Sequence, residues 1–452
     1  MKDIYLLKYS VRGIKNLDEE ASLSFFKKTL KDNLNTQSYN LKGIYGMNGS
    51  GKTAIVSSVD ILKNIILDCN YLNNPIVQNK LDATINKKTQ ELIMEVEYIT
   101  ELSITNCVYK YKVIISKDIT GKYVISYEEF AKKGIYSKNG EFSCAYIVEN
   151  GIITYFLQEG KMYNEILSKT ANLLSTASLP SLFWEKFFIT DSYKDYQNQL
   201  SVMILSLMLF GRKIHVCFDK SDEHEQFLLN NTFLDVNNVD NNNLNRNFLI
   251  KKLVEMNRES LNTVFCYNNI VKKEIYGEFE QKIEKLFNFL RIFKNELKGI
   301  KIDKKENKDI YICSLIMVYD SYEIHSEFES TGIKKLIKLF TYISKMAQGD
   351  IVFIDELDSN LHDVYLCALL EYLMGYGKGQ LCFTTHNIGP MDVLKNNKKS
   401  IDFLSTNGKI YPWVSNGNYS PSKLYKNGMI EGSPFNIDSI DFIGIFDEEK
   451  EA

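Results

Sequence analysis

Two short apolar runs open the patterned part of the chain, residues 3–9 (DIYLLKY) and 41–45 (LKGIY), each of strand length. The second runs into a glycine cluster and then a helical pattern, in which Ile55, Val59, Leu62 and Ile66 recur at three- and four-residue spacing. That spacing predicts a helix with one apolar stripe against a sheet, with Ser57, Asp60 and Lys63 off the stripe. Next, ELIMEVEYI, CVYKYKVIISKDITGKYVISYEEF and CAYIVENGIITYFL are dense in β-branched and aromatic residues. The turn pairs Thr120-Gly121, Asn139-Gly140 and Asn150-Gly151 break them up, which predicts an antiparallel meander over 91–157.

Between 160 and 297 the period shifts toward helix, as in NQLSVMILSLMLFG and FEQKIEKLFNFLRIFKNELK, with an asparagine-rich stretch at 236–247 read as a solvated loop. Strand patterning resumes at IYICSLIMVYDSYEIHSEF, followed by a helix over 332–347, a strand over 351–355 and another over 381–385. The unbroken apolar run in IVFID predicts a strand covered on both faces, as in a parallel sheet. There is no internal repeat and no sustained heptad pattern, so no long coiled-coil arm is expected. The expected fold class is α/β: a mixed sheet, an antiparallel β meander and an inserted helical lid. Its lobes would span 1–157, 158–300 (the lid) and 301–452.

Gly46-Met47-Asn48-Gly49-Ser50-Gly51-Lys52-Thr53 fits G-x-x-x-x-G-K-(S/T), after a strand and opening a helix. Glycines there let successive backbone N–H groups turn inward around phosphate oxygens, and the helix start adds partial positive charge. Lys52 would reach the β- and γ-phosphates of ATP, and the Thr53 hydroxyl would ligate Mg²⁺. Far downstream, Asp355 and Glu356 follow four apolar residues, at the strand end where open α/β sheets bind ligands. Asp355 is the expected second Mg²⁺ residue, and Glu356 is placed to polarise an attacking water.

Composition narrows the partners. Lys+Arg number 54 against 57 Asp+Glu, so no overall basic excess marks a nucleic-acid binder. Lysine runs at Lys301–Lys308 and Lys334–Lys338 read first as wet surface and leave nucleic-acid contact open. Eight scattered cysteines without a C-x-x-C pair point to a reducing, cytoplasmic compartment. Neither a signal peptide nor a membrane span is expected. His215, Cys217, Asp219, Asp222, Glu223 and His224 cluster without a familiar zinc spacing and read as a strand followed by an acidic turn.

Together these motifs resemble those of ATP-binding-cassette-type ATPases of the structural-maintenance and DNA-repair branch. The similarity extends to the compact bacterial ATPases of phage-defence and abortive-infection systems. Two further segments carry it: Glu329-Ser330-Thr331-Gly332-Ile333-Lys334-Lys335, similar to a degenerate signature, and Thr384-Thr385-His386-Asn387, a strand ending in a switch histidine. Asp355 to His362 is similar to the fused Walker B and D-loop segment. The resemblance implies a P-loop ATPase head in which Ser330 and Gly332 reach the ATP of a second subunit, giving a homodimer or higher homo-oligomer. It also implies that His386 bonds the γ-phosphate and that the output controls a separate effector, a toxin or nuclease. The alternative is a DNA-repair clamp of the same branch. Two departures stand out: Asp363 occupies the usual place of proline, and the glutamine that commonly contacts Mg²⁺ has no assignable position, Gln78 and Gln90 being the ones available.

Overall fold

The computed structural model describes residues 4–26, 39–100, 107–135, 140–157, 161–188, 199–218, 264–397, 399–414 and 419–433. It is a mixed α/β structure in which two sheets sandwich a layer of helices. The first sheet is antiparallel and contains Ile4–Arg12 (β1), Ala21–Ser24 (β2), Glu91–Thr100 (β4), Cys107–Lys117 (β5), Tyr123–Gly134 (β6), Ser143–Glu149 (β7) and Ile152–Phe156 (β8). Their order is β2-β1-β4-β5-β6-β7-β8, so the meander expected over 91–157 is present. Asn150 and Gly151 both have positive φ, 49° and 80°, which matches the turn that the twist of a tight hairpin favours.

The second sheet contains Leu41–Tyr45 (β3), Ile214–Cys217 (β9), Ile351–Ile354 (β14), Gln380–Thr384 (β15), Ile401–Leu404 (β16) and Ile410–Pro412 (β17). Its order is β17-β16-β3-β15-β14-β9, and every pairing except β16–β17 is parallel. Ile351 and Phe353 of β14 join the core toward the first sheet, whereas Val352 and Ile354 join the core on the opposite face. The unbroken apolar run thus has the expected cause: both faces are covered.

Helix α1 (Lys52–Leu67) lies between the two sheets. It is buried on almost every side, including Ser57 and Ser58, so the single stripe expected from its spacing is too narrow. The Tyr9 hydroxyl donates to Ser58 Oγ at 2.7 Å, giving this polar position a partner inside the sandwich. Shorter helices α2 (Pro75–Thr84), α3 (Lys161–Thr170) and α4 (Leu179–Phe183) lead to α5 (Gln199–Lys213), which packs beside α1.

A third, antiparallel sheet combines Asn269–Lys272 (β10), Gly299–Asn307 (β11), Ile310–Val318 (β12) and Glu323–His325 (β13). It packs against α6 (Tyr276–Phe293) and one side of α7 (Thr331–Gln348). The other side of α7, together with α8 (Asp363–Tyr376) and α9 (Gly389–Leu394), covers the second sheet. The last described helix is α10 (Pro421–Lys426).

The described residues of the segment expected as a helical lid, 158–300, are shared among the three sheets and their helices. Among the described residues, α3 to α5 complete the core between the sheets, β9 is an edge strand of the parallel sheet, and β10 and α6 belong with β11 to β13. A four-residue strand such as β9 is too short to show a period, and an apolar helix reads alike in a lid and in a central layer. The asparagine-rich stretch at 236–247 lies outside the described residues.

One buried acid links the first sheet to α4. Glu128 Oε1 accepts from the hydroxyls of Tyr111 (3.0 Å) and Tyr146 (2.8 Å), and Oε2 accepts from the Leu179 N–H (3.0 Å). Burial pushes this carboxyl up from 4.5 to about 7, against the pull of those hydrogen bonds. A raised folded-state pKa gives stability that is complete below the unfolded value and lost as pH rises through about 7. Glu128→Gln, which keeps the shape of the neutral acid, should therefore gain roughly 2–3 kcal/mol on the wild type between pH 5 and pH 8 in denaturant melts. Parallel pH profiles for the two proteins would contradict this account.

Candidate functional site

Strands β3, β15 and β14 lie side by side and parallel, with Ile44 opposite Thr384 and Phe383 opposite Ile354. Their C-terminal ends therefore reach one edge. The glycine loop leaves β3 there, Asp355 and Glu356 leave β14, and Thr385 and His386 leave β15. A cleft of about 240 Å³ opens at this edge. Asn48, Gly49, Ser50, Gly51, Lys52 and Thr53 form one wall, and Asp355, Glu356, Thr384 and His386 form the other.

The loop has the features of an anion cradle. Gly51 is the N-cap of α1 and supplies no side-chain hydrogen bond, so the helix start keeps donors for a ligand. Ser50 is fully buried, and its Oγ has no hydrogen-bond partner among the described residues. A buried hydroxyl of that kind fits a site that an anionic oxygen completes. Lys52 Nζ donates to the carbonyls of Gly46 (2.8 Å) and Met47 (3.0 Å), which holds the ammonium over the cradle. Burial lowers the Lys52 pKa to about 8, while Asp355, Glu356 and Asp358 pull it back.

The opposite wall is organised from β15. Thr384 Oγ1 donates to Asp355 Oδ1 at 2.7 Å, and the Glu356 N–H donates to Thr384 Oγ1 at 2.8 Å. Glu356 has φ +49°, and its carbonyl accepts from Lys335 Nζ at 2.6 Å; the same ammonium bonds Ser359. Partial burial and then the Lys52 charge push the His386 pKa below its ordinary value, which leaves a neutral imidazole at pH 7. Thr53 and Asp355 offer hard oxygen atoms at the cleft, the donor chemistry that Mg²⁺ prefers.

Ser330 and Gly332 do not line this cleft. Ser330 is exposed, and its Oγ caps α7 by accepting from the Ile333 N–H at 3.4 Å. Neither glutamine is at the site. Gln78 bonds Leu72 O (2.7 Å), Tyr123 O (2.9 Å) and the Tyr123 N–H (2.8 Å), and Gln90 donates to Lys87 O (2.7 Å). Asp363, in the usual place of proline, accepts a hydrogen bond from Asn387, while His362 caps α8. Hydrogen bonding thus restrains this turn.

His215 pairs with Asp350 (2.9 Å), whose other oxygen lies 3.4 Å from Lys213 Nζ. No metal-holding cluster occurs among the described residues, and Asp219, Asp222, Glu223 and His224 lie outside them.

Lys15, Asn16, Ala54 and Thr384 line the cleft, although the sequence reading gave none of them a role there. Asn16 Nδ2 donates to the Gly49 carbonyl at 2.7 Å, pinning the glycine loop. Lys15 has φ +49° and is held by Thr84 O on its N–H (2.6 Å) and by Asn86 Nδ2 on its carbonyl (2.7 Å).

No family model matches the chain, and no curated protein matches it. The chain is similar to a solved structure titled "Structure of the recombination mediator protein RecF-ATPrS in RecFOR pathway". The identity is 12%, the match covers 91% of this chain and 99% of that one, and the TM-score is 0.38. At that level the likeness assigns no residue role. No helix among the described residues is long and apolar enough to cross a membrane.

Two loop glycines separate backbone strain from crowding. Gly49 has φ +77° and open space where a Cβ would stand, whereas a Cβ on Gly51 (φ +107°) would lie 2.7 Å from Leu17 Cδ2 and 2.9 Å from Asn16 Oδ1. Gly49→Ala should cost about 1 kcal/mol, the strain alone, and Gly51→Ala about 2–3 kcal/mol. Equal losses in thermal unfolding would contradict that distinction.

Proposed function

We propose that this protein binds Mg²⁺-ATP in the cleft and hydrolyses it, and that the cycle drives a nucleotide-dependent dimerising switch. One observation carries the reading: residues 48–53 of the glycine loop and the Asp355-Glu356 pair, far apart in the chain, line the same cleft. The loop N–H groups and Ser50 would hold phosphate oxygens, with Lys52 exchanging its carbonyl partners for β- and γ-phosphate oxygens. Thr53 and Asp355 would hold Mg²⁺, whose charge offsets that of the phosphates when it is bound. Glu356 would take the proton of the attacking water, and His386 would hydrogen-bond the γ-phosphate.

Ser330 and Gly332 fit a role across subunits, because they stand outside their own cleft at the start of α7. There they would meet ATP held by a second copy, giving a homodimer or a higher oligomer. The sequence resemblance supports an output in bacterial anti-phage defence, with the switch controlling a separate toxin or nuclease. A DNA-clamp reading has one feature in its favour, the exposed Lys301, Lys304, Lys305 and Lys308 on and beside β11. Asp303 and Glu306 interrupt that row, and Glu323 pairs with Lys301. Salt-dependent DNA affinity that rises with ATP would favour the clamp.

Lys52→Ala should abolish ATP binding in calorimetry. Glu356→Gln should bind ATP normally, hydrolyse it at least about 100-fold more slowly, and accumulate a dimer in light scattering. A wild-type protein that binds no ATP at millimolar concentration would overturn the proposal, and equal turnover in Glu356→Gln would remove Glu356 from its role.

A further inference from the structure

Thr384, the last residue of β15, is fully buried and bonds three successive residues of the neighbouring segment. Its hydroxyl donates to Asp355 Oδ1 (2.7 Å) and accepts from the Glu356 N–H (2.8 Å), and its carbonyl accepts from the Leu357 N–H (3.0 Å). The directions are forced. An amide N–H can only donate, so the single hydroxyl proton goes to the carboxylate. That bond fixes the rotation of the Asp355 carboxylate from the strand side. Glu356 sits at φ +49°, a left-handed conformation uncommon outside glycine, and is held at its N–H by Thr384 and at its carbonyl by Lys335.

We propose that Thr384 is a positioning residue that sets the metal-binding carboxylate and the water-polarising residue together. One hydroxyl orients Asp355 toward the cation and locks the turn that presents Glu356. The inference rests on reading the cleft as a Mg²⁺-ATP site. It deepens that reading, because it assigns metal affinity and turnover to a buried hydroxyl that acts through Asp355 and Glu356. Outer-shell partners of metal ligands are worth about 10–100-fold in affinity or activity when removed.

The test uses the full chain and a fluorescent ATP analogue, titrated in EDTA and then against Mg²⁺. It compares the wild type with Thr384→Val, Thr384→Ser and Thr384→Cys. In EDTA all four should bind the analogue alike. Thr384→Val should need about 10-fold or more Mg²⁺ for half-saturation and show a kcat lower by about 10–100-fold, with KM for ATP little changed. Thr384→Ser, which keeps the hydroxyl, should match the wild type. Thr384→Cys, with a weak donor of similar shape, should fall between them, which gives a readout even if the valine variant does not fold. In an Asp355→Asn background, loss of the Thr384 hydroxyl should add no further shift in Mg²⁺ requirement, because the effect passes through Asp355. A wild-type Mg²⁺ requirement and kcat in Thr384→Val would overturn the assignment, and so would a full additive shift in the Asp355→Asn background. A wild-type chain that binds no nucleotide would bring down the functional reading and this inference together; normal wild-type binding with an unaffected valine variant would bring down this inference alone.

Discussion

The parallel register of β3, β15 and β14 is the constraint on which the site depends. Parallel neighbours end on the same side, so three segments from distant parts of the chain deliver their loops to one edge. Placing β15 between the other two separates the glycine loop from the acid pair by one strand's width. The gap is bridged at its base by Thr384, whose hydroxyl reaches both acids' residues. A one-residue slip of β15 would turn Thr384 to the opposite face of the sheet and leave Asp355 and the Glu356 N–H without this partner. Register and site geometry are therefore one condition.

That register is protected by polar contacts buried away from the cleft. Gln380, at the start of β15, accepts from the Leu6 N–H at 2.7 Å and donates to the Leu6 carbonyl at 2.9 Å, beside an irregularity in the β1–β4 pairing. A single side chain thus fixes the parallel sheet against the antiparallel one. Lys42 of β3 bonds Asp402 of β16 at 2.7 Å, with both groups almost fully buried. Burial pushes the Asp402 carboxyl up, and the Lys42 charge opposes it. Such a pair adds little net stability over apolar residues of the same volume, but removing one partner leaves an uncompensated charge. Both contacts penalise misalignment more than they reward alignment.

Elements with a repeating pattern or a dense apolar run were legible from the sequence: the meander, α1, α7, β3 and the two-sided β14. The glycine loop was legible because its chemistry restricts residue type at several adjacent positions, and the acid pair because a run of four apolar residues precedes it. What escaped had short or shared signals. β16 is four residues long, β9 was read as a strand but not as an edge of the parallel sheet, and α5 carries an apolar pattern that suits a central layer as well as a lid. Lys15 and Asn16 sit in an unpatterned turn, and they reach the cleft only because β1 brings that turn beside the loop. Thr384 looked like one more β-former, since its hydroxyl gains meaning from the strand next to it. The narrow stripe assigned to α1 failed for a related reason: periodicity reports a helix covered on one side, and this helix has a sheet on each.

Helix α7 joins the regions that the sheets keep apart. Ile333, Leu336, Ile337 and Phe340 pack into the third sheet's core, while Leu339, Ile343 and Met346 pack onto the parallel sheet. Between these faces Lys335, nearly buried, extends its ammonium to the Glu356 carbonyl and to Ser359. Ser330, capping the same helix, is exposed to solvent one turn before that lysine. Packed interiors transmit displacement because they have few voids to absorb it. Lys335 thus ties the first turns of α7 to the backbone that presents Glu356, through one part-buried hydrogen bond. The exposed start of α7 and the turn that holds Glu356 are joined by a single lysine side chain.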